Sequence, residues 1–399
     1  MLSRWFAPLG LVLLVLIVMP GCESSQSEPA ASADTATADA YNPSTDSLRF
    51  TGEVHLRNIR QLTFGGNNAE AYWSFDDQQL IFQSDWDRIN DRDCDQIYVM
   101  NADGSALEDG QPYRLTSTGK GRTTCGYFMP EAGGRLLFGS THAAAPECPP
   151  TVRFAGDRYV WPLYHTYDIY TVNPDGSDLQ VLIGGEGYDA EATLSPDGRF
   201  IIFTSTRSGD IDLWRYEIES GDLLQLTDQL GYDGGAFFSR DSQKIVWRAS
   251  RPTGEDAPIY RDLLEQNLVE PKALDLYVAD IDGSNVQRVT QLPGANWAPF
   301  FHPGGEKIIF TSNHHTLDQG GRLFDLFMVN IDGAGLKQLT HSGTFDAFPM
   351  FSFDGSKLVF ASNRNLTRTD SRDTNIFVAE WVEEPDQVDL DFKGIDAGE

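Results

Sequence analysis

The sequence predicts an all-β chain folded as a six-bladed β-propeller with four-stranded blades, and three observations predict it. The first is a recurring strand end: Gln61-Leu62-Thr63, Arg114-Leu115-Thr116, Gln225-Leu226-Thr227, Arg288-Val289-Thr290 and Gln338-Leu339-Thr340, with Gln180-Val181-Leu182 as a weaker copy. The second is a pair of turn signals in each unit. One series holds Asp76-Asp77, Asp197-Gly198, Asp241-Ser242, Gly304-Gly305 and Asp354-Gly355; the other holds Asp103-Gly104, Asp175-Gly176, Asp282-Gly283 and Asp332-Gly333. Asp and Gly tolerate the positive φ angles of tight hairpins. The third is the strands between the turns, such as Phe200-Ile201-Ile202-Phe203, Lys307-Ile308-Ile309-Phe310 and Lys357-Leu358-Val359-Phe360, whose branched and aromatic residues suit sheets packed on both faces. A unit repeated six times with the same two turns points to a propeller rather than a sandwich or barrel.

Taken in order, residues 1–21 read as an export signal, with Arg4 followed by an apolar run from Leu9 to Val18. That run is short for a span of about 20 residues. Met19-Pro20-Gly21-Cys22 resembles the lipobox of bacterial lipoproteins, which implies acylation of Cys22 and a stable membrane anchor. Residues 22–47, rich in Ser, Ala, Thr, Asp and Pro, read as a flexible linker. Residues 48–382 read as the propeller. Its first segment, Val54 to Thr63, is an outermost strand without the three inner ones, and its last, Asn375 to Trp381, is a third strand without a fourth. The two fragments complement each other, so the N-terminal strand is expected to close the ring and remove an open edge.

The step from Thr63 to Thr340 is 277 residues over five units, longer per unit than the roughly 40 to 45 residues of a blade. Two insertions account for the excess. His142 to Thr166 in the second blade is aromatic and Pro-rich; Pro252 to Ala273 in the fourth predicts an amphipathic helix within Glu255–Val269 folded on the rim. Residues 383–399 read as an acidic, solvated tail.

Leu194-Ser195-Pro196-Asp197-Gly198, Phe203-Thr204-Ser205-Thr206-Arg207 and Ile169-Tyr170-Thr171-Val172-Asn173-Pro174-Asp175-Gly176 resemble the repeats of the TolB-like β-propeller family, over roughly residues 54 to 381. The resemblance is specific for fold. Such propellers serve as protein-binding scaffolds, as gating domains and in some cases as enzymes. The α/β domain that precedes the propeller in the family's founding member has only the polar linker in its place.

A net charge of −29 and a pI near 4.4 argue against nucleic acid as a partner. Besides Cys22 there are Cys94, Cys125 and Cys148, which in an exported chain predict one disulfide from three possible pairings and one leftover thiol.

Aligning the units on their first turn places Asn68, Thr123, Asp189, Asp233, Asn296 and Asp346 at one position, the entry to the innermost strand. This reads as a polar ring around one mouth of the central channel, with Glu70, Cys125 and Glu191 two residues further along. Hard oxygens of this kind hold calcium, or receive a Lys or Arg from a partner. No Gly-x-Ser-x-Gly elbow, His-Glu-x-x-His, phosphate loop or dinucleotide fingerprint occurs. The reading is therefore a monomeric, lipid-anchored scaffold on the periplasmic side of a bacterial envelope, at the outer membrane, binding an envelope protein, peptide or polymer. The alternative is a metal-dependent hydrolase or polysaccharide lyase drawing on His142, His302, His314, Glu191 and Asp233.

Overall fold

The computed structural model describes residues 46–130, 134–364 and 372–395. The expected signal, Cys22 and nearly all of the linker lie outside these residues. Six four-stranded antiparallel sheets are the blades. Blade 1 is Asn68–Trp73, Gln79–Ser84, Gln96–Asn101 and Arg114–Leu115; blade 2 is Thr123–Phe128, Leu136–Ser140, Asp168–Val172 and Gln180–Ile183. Blade 3 is Asp189–Leu194, Phe200–Ser205, Asp212–Glu217 and Leu223–Gln225, and blade 4 is Asp233–Phe238, Lys244–Ala249, Asp275–Asp280 and Gln287–Arg288. Blade 5 is Asn296–Phe301, Lys307–Ser312, Asp325–Asn330 and Lys337–Gln338. Blade 6 takes Asp346–Phe351, Lys357–Ser362 and Asn375–Trp381 from the C-terminal side, and Leu56–Gln61 from the N-terminal side as its outer strand. The ring thus closes through the N-terminal strand, as the two unmatched fragments predict.

The repeat residues recur because each satisfies a backbone group that the blade would otherwise leave bare. Thr227 accepts from the amide of Leu213 at 2.9 Å and donates to Asp212 at 3.0 Å, so the Thr of Leu-Thr caps the start of the third strand. Thr290 with Asp275, Thr340 with Asp325, and Thr63 with Asn375 repeat the arrangement. The preceding apolar residues Leu62, Leu226, Val289 and Leu339 enter the core, whereas Leu115 of blade 1 is exposed. In the first turn, the Ser195 hydroxyl donates to Asp197 at 2.6 Å and accepts from the Phe200 amide at 2.9 Å. The last residue of each turn pair, Asp77, Gly198, Ser242, Gly305 and Gly355, has φ between 59° and 78°, which is why small polar residues and Gly recur there.

Three parts depart from the repeat. The insertions of blades 2 and 4 join: Trp161 and Pro162 pair antiparallel with Val269 and Leu268, and Val160, Leu263 and Leu268 are buried between them. Helix α1, Asp256–Leu264, falls inside the predicted segment, but it packs on the other insertion and on blade 3 through Tyr260 and Asp210 rather than lying alone on the rim. Cys94 and Cys148 form a disulfide that ties the base of the blade 2 insertion to blade 1. The result is a braced lid.

The third departure corrects the solvated tail. Helix α2, Gln387–Leu390, is held by a capping box from Asp386, and Ile395 forms a parallel bridge with Phe50. Asp389, fully buried, takes Arg57 at 2.7 Å and Arg49 at 3.2 Å, and the Arg49 guanidinium lies 4.3 Å from the centre of the Phe392 ring. The acidic residues that suggested solvation are partners for arginines at the far end of the chain.

Candidate functional site

Asn68, Thr123, Asp189, Asp233, Asn296 and Asp346 each begin the innermost strand of their blade, as aligned. All six are at most 1% exposed, however, and their polar groups are largely engaged within the protein. Asp189 pairs with Arg207 at 2.8 Å, Asp233 with Arg251 at 2.7 Å, and Asp346 with Arg364 at 3.0 Å. Each arginine stands 18 residues on, just after the second strand. Where the ring residue is Asn, the position 18 residues on holds Trp86 or His314; in blade 2, whose ring residue is Thr123, the same place two residues past the second strand holds His142, 19 residues on. At this ring position a carboxylate occurs only in the blades that supply a guanidinium there, because an unpaired buried one costs several kcal/mol. The three Asp positions are fastened by arginines of their own blades, and Asn68, Thr123 and Asn296 donate to the Thr374, Asp95 and Leu274 carbonyls of the preceding blade, so most of the oxygens the calcium reading needs are already engaged. Among the described residues no group of three or more His, Cys, Asp or Glu side chains is arranged to hold a metal ion. Burial pushes the Asp233 carboxyl up to about 6 despite Arg251 and Trp247.

The channel surface is made two residues further along. Every inner strand bulges there, with a register shift in each pairing with its second strand. Glu70, Cys125, Glu191, Gly235, Ala298 and Phe348 have φ between 49° and 59°. A bulge of this type re-aims one side chain, and these residues line a cavity of about 20 Å³ with Arg248 among its walls. Arg248 is 8% exposed and bonds Glu191 and the Tyr232 hydroxyl. Glu191 also accepts from Thr204 at 2.7 Å and the Gly235 amide at 3.0 Å. Gly235 is required, since a Cβ there would lie 1.7 Å from Arg248 Nη1.

Glu70 has no such partner. Desolvation raises its carboxyl to about 7, against the hydrogen bond from Cys125, and the negative charge of Glu191 adds to the rise. Cys125 is a buried free thiol, pushed well above its usual pKa by desolvation; it is the leftover of the one disulfide expected among the three cysteines, the pair being Cys94–Cys148. Tyr72 and Phe237, which also line this cavity, pack in turn against Tyr127 and Phe300.

The histidines of the enzyme reading do not converge. His142 bonds Ser140 and lies against Tyr170; His314 bonds Ser312 and lies against Phe327, three blades away. His302 sits in a first-series turn at the opposite end of the propeller, bonded to Glu383 at 2.8 Å. Glu191 and Asp233 are both held by arginines.

Sequence reading missed Arg248, Tyr232 and Trp297 at the mouth, and had Trp161 only as part of the aromatic insertion of blade 2. The Trp161 ring lies 6.3 Å from Tyr232 and 6.2 Å from Trp297, and the Arg248 guanidinium is 5.5 Å from its centre. The lid therefore reaches the channel mouth. Among the described residues the exposed aromatic side chains are Phe64, Phe154 and Tyr159, at 52%, 63% and 51%. All three lie in loops on this same face, Phe154 and Tyr159 as a ring pair on a short hairpin of the lid.

A family model described as the TolB beta propeller domain matches residues 267–368. An uncharacterized protein of Agrobacterium fabrum is 26% identical over 223 residues, 53% of this chain and 70% of its own length. A Tol-Pal system protein TolB of Anaeromyxobacter dehalogenans is 28% identical over 134 residues, 34% of this chain and 26% of that protein. The crystal structure of TolB from Acinetobacter baumannii superposes with a TM-score of 0.50 at 19% identity, covering 70% of this chain and 56% of that one. The chain thus spans about a quarter of the length of the TolB protein it matches by sequence, and about half of the one it matches by structure.

Proposed function

We propose that this six-bladed propeller, similar to the TolB propeller domain over residues 267–368, is a binding protein of the bacterial cell envelope, which recognises a protein or peptide partner through the lidded mouth face. The observation that carries this is the confinement of Phe64, Phe154 and Tyr159 to that face. Exposed aromatic side chains on a rigid support make good anchors, since little entropy is lost when they are covered. The disulfide and the pairing of the two insertions supply the support. Most of the polar groups at the channel entry are tied to one another, which suits a scaffold better than a catalyst. In this reading Cys22 carries the lipid, residues 22–47 give the propeller reach on the periplasmic side, and the outer membrane is the preferred site.

Affinity capture from detergent-solubilised envelopes tests the reading, comparing the unaltered protein with a Phe154→Ser/Tyr159→Ser variant. Loss of one specific partner at unchanged thermal stability is expected. Identical partner lists would overturn the assignment of the face. Radiolabelled palmitate should enter the unaltered chain and not a Cys22→Ala variant.

A further inference from the structure

The geometry points to a socket at the channel mouth for a primary ammonium group of a partner peptide, an inference that rests on the mouth face being the binding face. Two carboxylates, Glu70 and Glu191, share the cavity with one guanidinium, Arg248. Glu191 is fully committed to Arg248, Thr204 and the Gly235 amide. Glu70 is not: its Oε2 is buried without a hydrogen-bond partner. Arg248, another wall of the same cavity and a residue 8% exposed, likewise has its Nε buried without a partner. Orphaned polar atoms in a native interior call for an occupant.

The occupant's chemistry follows from the walls. One acceptor, one donor and a net charge of −1 ask for a cation that can also present an acceptor. A space of about 20 Å³ takes one water-sized group. An ammonium head fits that size and carries three donors, whereas a planar guanidinium is larger. Aromatic rings of Tyr72, Phe237 and Phe348 line the rest, and ring faces favour a cation. The Arg248 Nε–H is matched by a carbonyl close to the ammonium, which a free peptide N-terminus provides and a lysine side chain does not.

The electrostatic setting gives the binding a pH signature. Glu70 faces Tyr72, Cys125, Glu191 and Arg248, with Asp95 further off, and is held near pH 7 in its titration. An entering cation stabilises the ionised form, so about half a proton is released per molecule bound at pH 7. Affinity for a lysine side chain should rise about tenfold from pH 6 to pH 8 as Glu70 ionises. Affinity for a peptide N-terminus should peak near about pH 7.5, because an α-amino group loses its own proton near about 8.

The test is calorimetric titration of the full chain with triglycine amide, its N-acetyl form and Nα-acetyl-lysine amide, in two buffers of different ionisation enthalpy. Expected results are binding of triglycine amide with proton release, no binding of the acetylated peptide, and at least a tenfold loss in Glu70→Gln. Equal binding of the lysine derivative would support the socket and widen its source to any primary amine. Equal binding of the acetylated peptide, no amine binding at all, or an unaltered affinity in Glu70→Gln would overturn it. The proton count in the unaltered protein decides the matter should Glu70→Gln fold poorly. A Phe154→Ser/Tyr159→Ser protein that keeps amine binding but loses its captured partner separates the socket from the face.

Discussion

Replacing Gly235 by Ala isolates what the channel bulge costs and what it holds. Its φ of +59° is matched by Ala298 at +49° in the next blade, so the fold tolerates a Cβ in this conformation. The difference is Arg248, whose Nη1 would lie 1.7 Å from the new Cβ. Arg248 must leave, and Glu191 then keeps only Thr204, Tyr232 and the residue 235 amide. Losing one partner of a buried pair costs roughly 3 to 5 kcal/mol, and these remaining bonds put the loss at the low end. Adding about 1 kcal/mol for an Ala in the left-handed region gives about 4 kcal/mol. Urea unfolding at pH 7 measures it; with a slope of about 3 kcal/mol per molar the midpoint falls by roughly 1 M. Ala298→Gly is the control, with a gain below about 1 kcal/mol. A loss of only about 1 kcal/mol in Gly235→Ala, the bare backbone term, would refute the claim that the glycine exists to seat Arg248.

Further outcomes follow from the same chemistry. Glu70 titrates near 7 when folded against 4.5 as its ordinary value, so its contribution to stability is present at low pH and is lost as pH rises through 7; the advantage of Glu70→Gln in urea unfolding should grow by about 2 kcal/mol from pH 5 to pH 8. Arg207→His should cost about 3 kcal/mol or more by stranding Asp189, while Asp189→Asn/Arg207→His, which copies the pattern of blade 5, should recover most of that loss in thermal unfolding. Cys94→Ser/Cys148→Ser should lower stability by about 4 kcal/mol, from a 54-residue separation, with reductant then having no further effect. Asp389→Ala should cost about 3 kcal/mol and open the 49–57 segment to proteolysis, because Arg49 and Arg57 lose their shared carboxylate.

The ring was legible because each of its parts is local. Leu-Thr, the Asp-Gly turns and the entry position of each inner strand repeat in register, and the two unmatched end fragments predicted closure. The role of the entry residues was legible too, but in a relation between positions: Asp189, Asp233 and Asp346 each have an Arg 18 residues on, while Asn68 and Asn296 have Trp86 and His314. Comparing the six units pairwise would have exposed this fastening. Arg248 was out of reach, since nothing local marks one strand arginine as crossing to the neighbouring blade. The lid was equally hidden. Its contact between Trp161-Pro162 and Leu268-Val269 is two residues long and joins segments over a hundred positions apart, too short for any periodicity. The tail misled for a related reason: acidic composition measures charge, not whether arginines such as Arg49 and Arg57 wait elsewhere to receive it.

Blade 6, stitched from both ends of the chain, has a mechanical consequence. Tension applied to the segment entering at residue 46 passes first into the contacts of Arg49 and Phe50 with Asp389 and Ile395, and then into the strand Leu56–Gln61. The seam that closes the ring is therefore also the part that bears the load. A pull strong enough to part it would take the outer strand from blade 6 and open the circle there, leaving blades 1 to 5 with their own four strands.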